Sequence, residues 1–298
     1  MAASPQIFDR SLLRRRRRRA AAIGPADFLF DRVAADLAER LAAVLRRFDL
    51  ALVLGWSGEA VQMALAALGS VGTVIAADSL MPARRAGLFV AADEEALPFR
   101  DAAFDLAVST LTLQFVNDLP GTLVQVRRSL KPDGLFLAAL IGGESLSELR
   151  HAFATAESEV EGGISPRVAP FADLRDLGAL LQRAGFALPV TDTDRLIVRY
   201  DTAFDLMHDL RRMGAANVLI DRRRAPLRRA TLLRMAEIYG QRFSDSDGRI
   251  RATFEIVWLS GWAPHPSQQQ PLAPGSAKTR LADALGTHEL SAGEKAGS

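Results

Sequence analysis

The chain predicts an α/β protein: a doubly wound, mostly parallel seven-stranded sheet with a helical insert before a last, antiparallel strand. Three observations predict it. Short apolar runs, several ending in Gly, Asp or Ser, alternate with segments whose apolar residues recur at helical spacing. The second half changes character, placing amphipathic helices between two alternating runs. The composition is that of an ordinary folded protein, 298 residues with 49% hydrophobic and 24% charged, which excludes wholesale disorder and fibrous classes.

The elements follow in order. Residues 26–48 carry apolar side chains at 30, 33, 34, 37, 41, 44 and 45, the spacing of an amphipathic helix. Residues 50–54 read as the first strand, ending at Gly55, and 59–68 as the helix after it. The second strand, 72–77, ends at Asp78; the third, 88–92, at Asp93; the fourth is 104–109. Asp118 caps a helix over 118–130 that Lys131-Pro132-Asp133-Gly134 stops. Residues 135–140 form the fifth strand. A long helix covers 145–161, with Ser145 and Glu148 spaced as a capping box. After a loop at 162–170, a helix over 175–184 closes at Gly185. Residues 194–200 alternate as a strand. Helices at 203–213 and 230–243 flank the basic linker Arg222, Arg223 and Arg224. The last strand, 249–262, is read as antiparallel and at the sheet edge. From 263 the chain turns to Pro, Gln, Ser and Ala, the composition of a flexible tail. The expected organisation is therefore a basic arm and helix over 1–48, a main domain over 49–262 with its insert at 203–248, and a tail over 263–298.

The net charge of +2 conceals an asymmetry. Arg10 and the six consecutive arginines Arg14 to Arg19, against Asp9, make residues 1–19 net +6, so the remaining body is −4. An acidic body argues against a global nucleic-acid-binding surface. The arm reads either as solvated or as a contact for an acidic partner or anionic lipid. There is no cysteine, which removes disulfides, thiolate metal sites and thiol nucleophiles. His151, His208, His265 and His288 are the only histidines, and none stands in a His-x-Asp or His-x-Glu spacing; each reads as a surface residue, and no metal site is expected. No apolar run approaches the ~18–20 residues of a membrane span, and the apolar stretch at 20–23 is too short for a signal peptide. A cytoplasmic, bacterial protein is expected, with the arm allowing a peripheral position at the inner membrane face.

In open α/β sheets ligands bind at the carboxyl ends of the strands, where the strand order reverses. That directs attention to Gly55, Trp56, Ser57 and Gly58 after the first strand, where glycines admit a close backbone approach. Asp78 and Ser79 follow the second strand, placed for a ribose diol. Asp93 and Glu94 follow the third, placed for an adenine amino group. Ser109, Thr110 and Leu111 end the fourth. One nucleoside lying across the sheet edge touches all four places. Taken singly, each glycine reads equally as a turn and each Asp as a helix cap.

The runs Ala92-Asp93-Glu94-Glu95-Ala96-Leu97-Pro98-Phe99, Ala103-Phe104-Asp105-Leu106-Ala107-Val108-Ser109 and Leu130-Lys131-Pro132-Asp133-Gly134 resemble the class I S-adenosylmethionine-dependent methyltransferases, a Rossmann-like fold. More narrowly, Ile7-Phe8-Asp9-Arg10 with its basic run, Val116-Asn117-Asp118-Leu119-Pro120, Glu161-Gly162-Gly163, Arg183-Ala184-Gly185-Phe186 and Asp192-Thr193-Asp194 resemble the complex I assembly factor 5 family and its bacterial relatives. The match begins at Ile7, which implies that the arginine run belongs to the mature protein. The chain departs from the family's acid-x-Gly-x-Gly-x-Gly motif: Val53 stands at the acid and Ser57 at the second glycine, the third is Glu59 or is lost, Gly55 remains, and Gly58 is a partial substitute. That departure implies weakened S-adenosylmethionine binding.

The resemblance implies a role in assembling respiratory complex I, by hydroxylating an arginine of an iron–sulfur subunit. Two other readings remain open: an O-methyltransferase acting on a malonyl carrier protein or a small molecule, and a non-catalytic assembly chaperone with a degraded cofactor loop. The substrate-facing candidates are Gln114, Asn117 and Tyr200, with Tyr239 beside them; both tyrosines also read as packing. The insert at 203–243 resembles the cap of the malonyl-carrier-protein methyltransferases.

Overall fold

The computed structural model describes residues 6–55, 58–81, 87–269, 276 and 280–288. Two compact units emerge, one reaching to Pro264 and one from His265 onward. In the second, the described residues form a short helix, Leu281–Leu285, closed by Gly286 in the left-handed region at φ +63°. Most of the tail lies outside the described residues.

The first unit opens with two helices, α1 (Arg10–Ile23) and α2 (Phe28–Ala42). Strand and helix then alternate through β1 (Phe48–Leu54), α3 (Gly58–Ala67), β2 (Val71–Asp78), β3 (Leu88–Ala91), β4 (Phe104–Thr110), α4 (Leu119–Ser129) and β5 (Leu130–Ile141). The second half adds α5 (Ser147–Glu161), α6 (Leu174–Arg183), β6 (Ala187–Tyr200), α7 (Ala203–Arg212), α8 (Arg229–Phe243) and β7 (Ile250–Trp262). Among the described residues seven strands make one sheet in the order β3-β2-β1-β4-β5-β7-β6. The first five pair in parallel, and β7 runs antiparallel to both β5 and β6. This is the doubly wound α/β sheet the sequence predicts.

The sheet is covered on both faces, which is why its central strands are apolar without alternation. Along β5, Leu135, Leu137 and Ala139 join the core under α2, α5 and α8, while Phe136, Ala138 and Leu140 join the core under α4 and α6. The chain leaves β1 toward β2 and β3 and returns to β4 on the other side, so the order reverses between β1 and β4. Their carboxyl ends open the crevice in which a ligand is expected.

Four local expectations are corrected. The last strand is not the sheet edge: β7 lies between β5 and β6, and β6 is the edge. β6 also starts seven residues earlier than its clean alternation suggests, at Ala187, and contains Pro189, a residue that edge strands tolerate because the ladder does not need its missing N–H. The capping box does not form. Ser145 Oγ instead bonds the backbone of Glu255, and Glu148 bonds Thr253, while Leu146 precedes α5 at φ +54°. The basic arm is not a solvated tail but a helix, capped by Asp9 accepting from the Leu12 N–H.

Candidate functional site

The segment before α1 is tied down at three points. Ile220 N–H donates to the Ile7 carbonyl at 2.9 Å, and Asp9 N–H to the Val218 carbonyl at 2.8 Å, a short bridge onto the insert. The Asn117 side chain accepts from the backbone of Ile7 and of Phe8, each at 2.8 Å, and donates back to the Phe8 carbonyl. Phe8 and Leu13 are buried with Phe115, Val218 and Leu219. Arg212 donates to the carbonyls of Gly24 and Pro25, holding the turn into α2. So fixed, α1 lies over the carboxyl ends of the strands.

Its arginines meet the expected nucleoside carboxylates. Arg10 bonds Asp93 at 2.8 Å, pairs with Glu94, and lies 3.3 Å from Glu95. Arg14 stands 3.5 Å from Asp93, and Arg17 stands 3.8 Å from Glu94. Glu94 is 1% exposed and Arg17 5%. Buried charges persist when paired and are costly when they are not, which explains why three arginines gather on three consecutive acids. Arg16 has a different surrounding: burial and the charges of Arg222 and Arg19 push its guanidinium below the usual arginine value, and its Nη1 has no hydrogen-bond partner.

Asp78 ends β2, buried. One carboxyl oxygen accepts from the Leu80 N–H and lies 3.5 Å from the Ser79 hydroxyl. The other, Oδ2, is buried without a partner. Burial raises the Asp78 carboxyl to about 6; the nearby Arg17 charge opposes that rise and Glu94 adds to it. An orphaned acceptor at the end of β2 fits a ribose hydroxyl. Gly55 takes φ +90°, and an added Cβ would fall 2.3 Å from the Thr112 side chain. Its glycine is therefore required by the turn and by Thr112, which fills the space beside it. Trp56 and Ser57 lie outside the described residues, as does the side chain of Glu59; Gly58 opens α3.

The remaining expected residues separate into two groups. Ser109 is committed to the Leu54 carbonyl at 2.9 Å, and Thr110 is fully buried with an unpartnered hydroxyl. Asn117 is committed to the N-terminal segment, as above. Tyr200 packs in the core with Ala203 and Leu206, its phenol pushed up by burial and then by the Asp209 charge; Tyr239 donates to the Arg251 carbonyl. Gln114 and Leu111, by contrast, line a pocket open to solvent, whose space, open solvent included, is about 630 Å³.

That cavity is walled by α1 and α2 through Arg17 and Phe30, by the ends of β4 and β5, and by the turn after α7, with Leu210 and Met213. Most of its lining is apolar, with Arg17, Gln114 and Ser145 as the polar exceptions. Leu111 and Leu146, both in its wall, hold φ of +52° and +54°. Two non-glycine residues in the left-handed region cost about 1–3 kcal/mol each, and such strain gathers at ligand sites. Among the described residues no three His, Asp or Glu side chains gather as metal ligands, and no helix is long and apolar enough to cross a membrane.

Sequence reasoning missed Arg10, Arg14 and Arg17. The available signal was spacing: Leu13, Arg17 and Ala20 recur at i, i+4 and i+7 and are the buried face of α1.

Comparison with known proteins bears on the fold and the family. The methyltransferase domain family matches residues 52–138. A Bacillus subtilis structure, the YcgJ protein, superposes with a TM-score of 0.52 at 14% identity over 77% of this chain and 98% of its own, which shows the fold. Malonyl-[acyl-carrier protein] O-methyltransferase of Laribacter hongkongensis is 36% identical over 64% of this chain and 62% of its own. Mitochondrial arginine-hydroxylase NDUFAF5 of Homo sapiens is 41% identical over 91% of this chain and 81% of its own, and that of Mus musculus 39% over 97% and 87%. Similarity of that depth takes in the helix over the strand ends and the insert as well as the sheet, and on that extent the chain belongs to the NDUFAF5 arginine-hydroxylase family.

Proposed function

We propose that this protein is a nucleoside-dependent enzyme that hydroxylates an arginine of a complex I subunit during assembly. The extent of the family relationship carries the reading. At 97% of the chain it takes in both α1 and the α7–α8 insert, and α1, α7 and the turn after α7 are among the walls of the cavity. The substrate is accordingly a protein side chain, and the cavity its entry. We take residues 49–262 as the working domain and the insert at 203–248 as its lid.

The residues at the strand ends support S-adenosylmethionine as the cofactor. Asp78 offers the ribose an unpartnered oxygen; Asp93 and Glu94 stand at the adenine position, already paired with Arg10 and Arg14. Those pairs and the altered glycine motif are the grounds for weakened binding. Bound there, the cofactor would supply a sulfonium-activated methyl, which is not the source of a hydroxyl oxygen; hydroxylation would take one oxygen atom from dioxygen, with an external two-electron reductant carrying the other to water, and this chain's part is to hold the nucleoside and the substrate arginine together beneath α1. The exposed arginines Arg15, Arg18 and Arg19 support contact with an acidic partner surface or with anionic lipid at the inner membrane face, in keeping with a cytoplasmic location.

The test is mass spectrometry of complex I from a strain lacking the gene. The expected result is loss of a +16 Da arginine modification (the mass of one oxygen, roughly) and its return on complementation, but not by Asp78→Asn. An unchanged modification with impaired assembly would instead support a chaperone, and normal complex I would sink both. The 36% identity to malonyl-carrier-protein methyltransferases favours a second reading, which growth of the same strain without biotin decides. Calorimetry showing no heat with millimolar S-adenosylmethionine would remove the cofactor assignment.

A further inference from the structure

The sheet has two edges, and they differ. Strand β3 has four residues and β6 has fourteen. An exposed edge is a template for another strand, and proteins guard it with shortness, lysine, proline or a bulge. β6 has no lysine, and its two guards, Pro189 and the bulge between Ala187 and Val190, both fall at its start. Three of its four charged side chains are paired within the chain: Asp192 with Arg40 at 2.6 Å, Asp194 with Arg32 at 3.3 Å, and Arg199 with Asp245 and Asp247. Leu188, Val190 and Ile197 stand 50%, 59% and 53% exposed. At the middle of the strand the Thr193 N–H donates to the adjacent Asp192 carboxylate at 2.8 Å.

Exposure along β6 changes phase at that point. Successive side chains of a strand point to opposite faces. On one face Leu188, Val190 and Asp192 are exposed, whereas Asp194, Leu196 and Val198 are half-buried, the last two against the core under α2. The other face does the reverse. Pro189 and Thr191 are half-buried, Thr191 beside Gly178 of α6, whereas Thr193, Arg195, Ile197 and Arg199 are exposed. Each face of the strand thus has one bare half and one covered half, at opposite ends.

We infer that β6 pairs antiparallel with the β6 of a second copy of this chain, about a two-fold axis through Thr193, so that two sheets run on as one. A two-fold axis normal to the sheet reverses the strand and keeps its faces, so it sets each bare half beside the other copy's covered half. With Thr193 opposite itself, Val190 meets Leu196, Leu188 meets Val198 and Ile197 meets Pro189. Each of these pairs is apolar and joins an exposed residue to a half-buried one. The neighbouring registers that keep the faces matched set Val190 against Asp194 or Asp192 against Leu196, a carboxylate on an apolar side chain. Facing threonines are a favourable cross-strand pair. The like charges in this register are Asp192 and Asp194, which Arg40 and Arg32 already neutralise. Pro189, without an N–H, marks the end of the shared ladder on each side. The interface is isologous, as two-fold dimers require.

Sedimentation of the full chain and a disulfide trap test it. The chain has no cysteine, so an introduced one reports alone. The wild type is expected to sediment as a dimer in the micromolar range. Val190→Lys with Ile197→Lys places the charge that guards natural edges at two exposed positions. The pair should raise the dissociation constant of the dimer about 100-fold and leave the far-ultraviolet circular dichroism spectrum unchanged. Thr193→Cys should close a disulfide between two copies in a glutathione buffer, because residues facing each other across an antiparallel pair lie about 4.5–5.5 Å apart, within disulfide reach. Arg195→Cys should not, since in this register it stands about 14 Å from its own copy. The two cysteine variants carry the test if the lysine variant fails to fold. A monomer at about 100 µM would overturn the inference and leave the edge for a strand of another protein. A dimer indifferent to the two lysines would overturn β6 as its interface. Trapping by Arg195→Cys as readily as by Thr193→Cys would overturn the pairing about Thr193.

Discussion

Asp78 sets function against stability at a single carboxyl group. It is buried, and its carboxyl rises from 3.8 to about 6 chiefly through that burial. A carboxyl raised in the folded state binds its proton more tightly there than in the unfolded chain. Stability from this group is therefore complete below pH 3.8 and is lost as pH rises through about 6, by about 3 kcal/mol. Asp78→Asn removes the penalised charge. Its unfolding free energy in urea should match the wild type near pH 4 and exceed it by about 1–3 kcal/mol at pH 7.5, while nucleoside binding is lost; a gap that stays constant from pH 4 to 7.5 would refute the assignment. Asn117 makes the opposite case. Sequence spacing placed it after the fourth strand as a substrate contact, yet its side chain is consumed by the backbone of Ile7 and Phe8. Asn117→Ala should cost about 1–3 kcal/mol, read as a lowered melting temperature, with early proteolysis before Arg10. Asp78 was legible because a carboxylate ending an apolar strand has few other uses. Arg17 was not, because one buried arginine inside a run of six looks like its solvated neighbours until the helix gives it a face.

The elements show the same division. Parallel strands buried on both faces announce themselves as apolar runs, so β1, β2, β4 and β5 were legible with their order of use along the chain. The N-terminal strand residues 187–193 were not, because an edge strand is half exposed and Pro189 interrupts its pattern. The helix α1 was hidden differently: its charge suggested solvent, while its function is to cover. Arg10 anchors it to Glu94, whose side chain is 2% exposed. Arg10→Ala leaves that carboxylate, among the described residues, with Arg17 at 3.8 Å as its remaining cation and should destabilise by about 3 kcal/mol, since breaking one side of a buried pair strands the other. Arg10→Met with Glu94→Gln should recover most of the loss in the same urea titration; no recovery would mean that Arg10 acts through packing. The turn after α7 presses on the same helix. Gly214 holds φ +69°, and an added Cβ would lie 3.1 Å from Arg17 Cγ and 3.2 Å from its Cα. Gly214→Ala should therefore cost about 1–3 kcal/mol in the same urea titration and loosen α1 by displacing Arg17, whereas an alanine at Gly240 on α8, where an added Cβ meets nothing within 4 Å, should leave α1 in place.

At the scale of the whole molecule, the +6 segment and the −4 body are partly one structure. Three of the arginines, at 10, 14 and 17, are used internally on the carboxylates at 93–95, while Arg15, Arg18 and Arg19 remain exposed. Salt distinguishes these two uses of one helix. Exposed charges are screened over about 8 Å at physiological ionic strength, and buried pairs much less. Closure of α1 should therefore persist in 0.5 M salt (roughly a 4 Å screening length), seen as unchanged trypsin resistance after Arg10, Arg14 and Arg17. Association with vesicles rich in anionic lipid, at about 1 kcal/mol per surface arginine, should fall steeply over the same range. Replacing Arg15, Arg18 and Arg19 together by Gln should abolish vesicle binding and leave the protease pattern and the affinity for S-adenosylhomocysteine as they were. Cleavage within α1 that rises with salt would show that the internal pairs are as screened as the outer ones, and α1 would then be a loosely held strap. Vesicle binding that survives the triple substitution would place the membrane contact elsewhere, and the exposed face of α1 would be left for an acidic protein surface, readable as a salt-dependent association with the assembly partner that the same three substitutions remove.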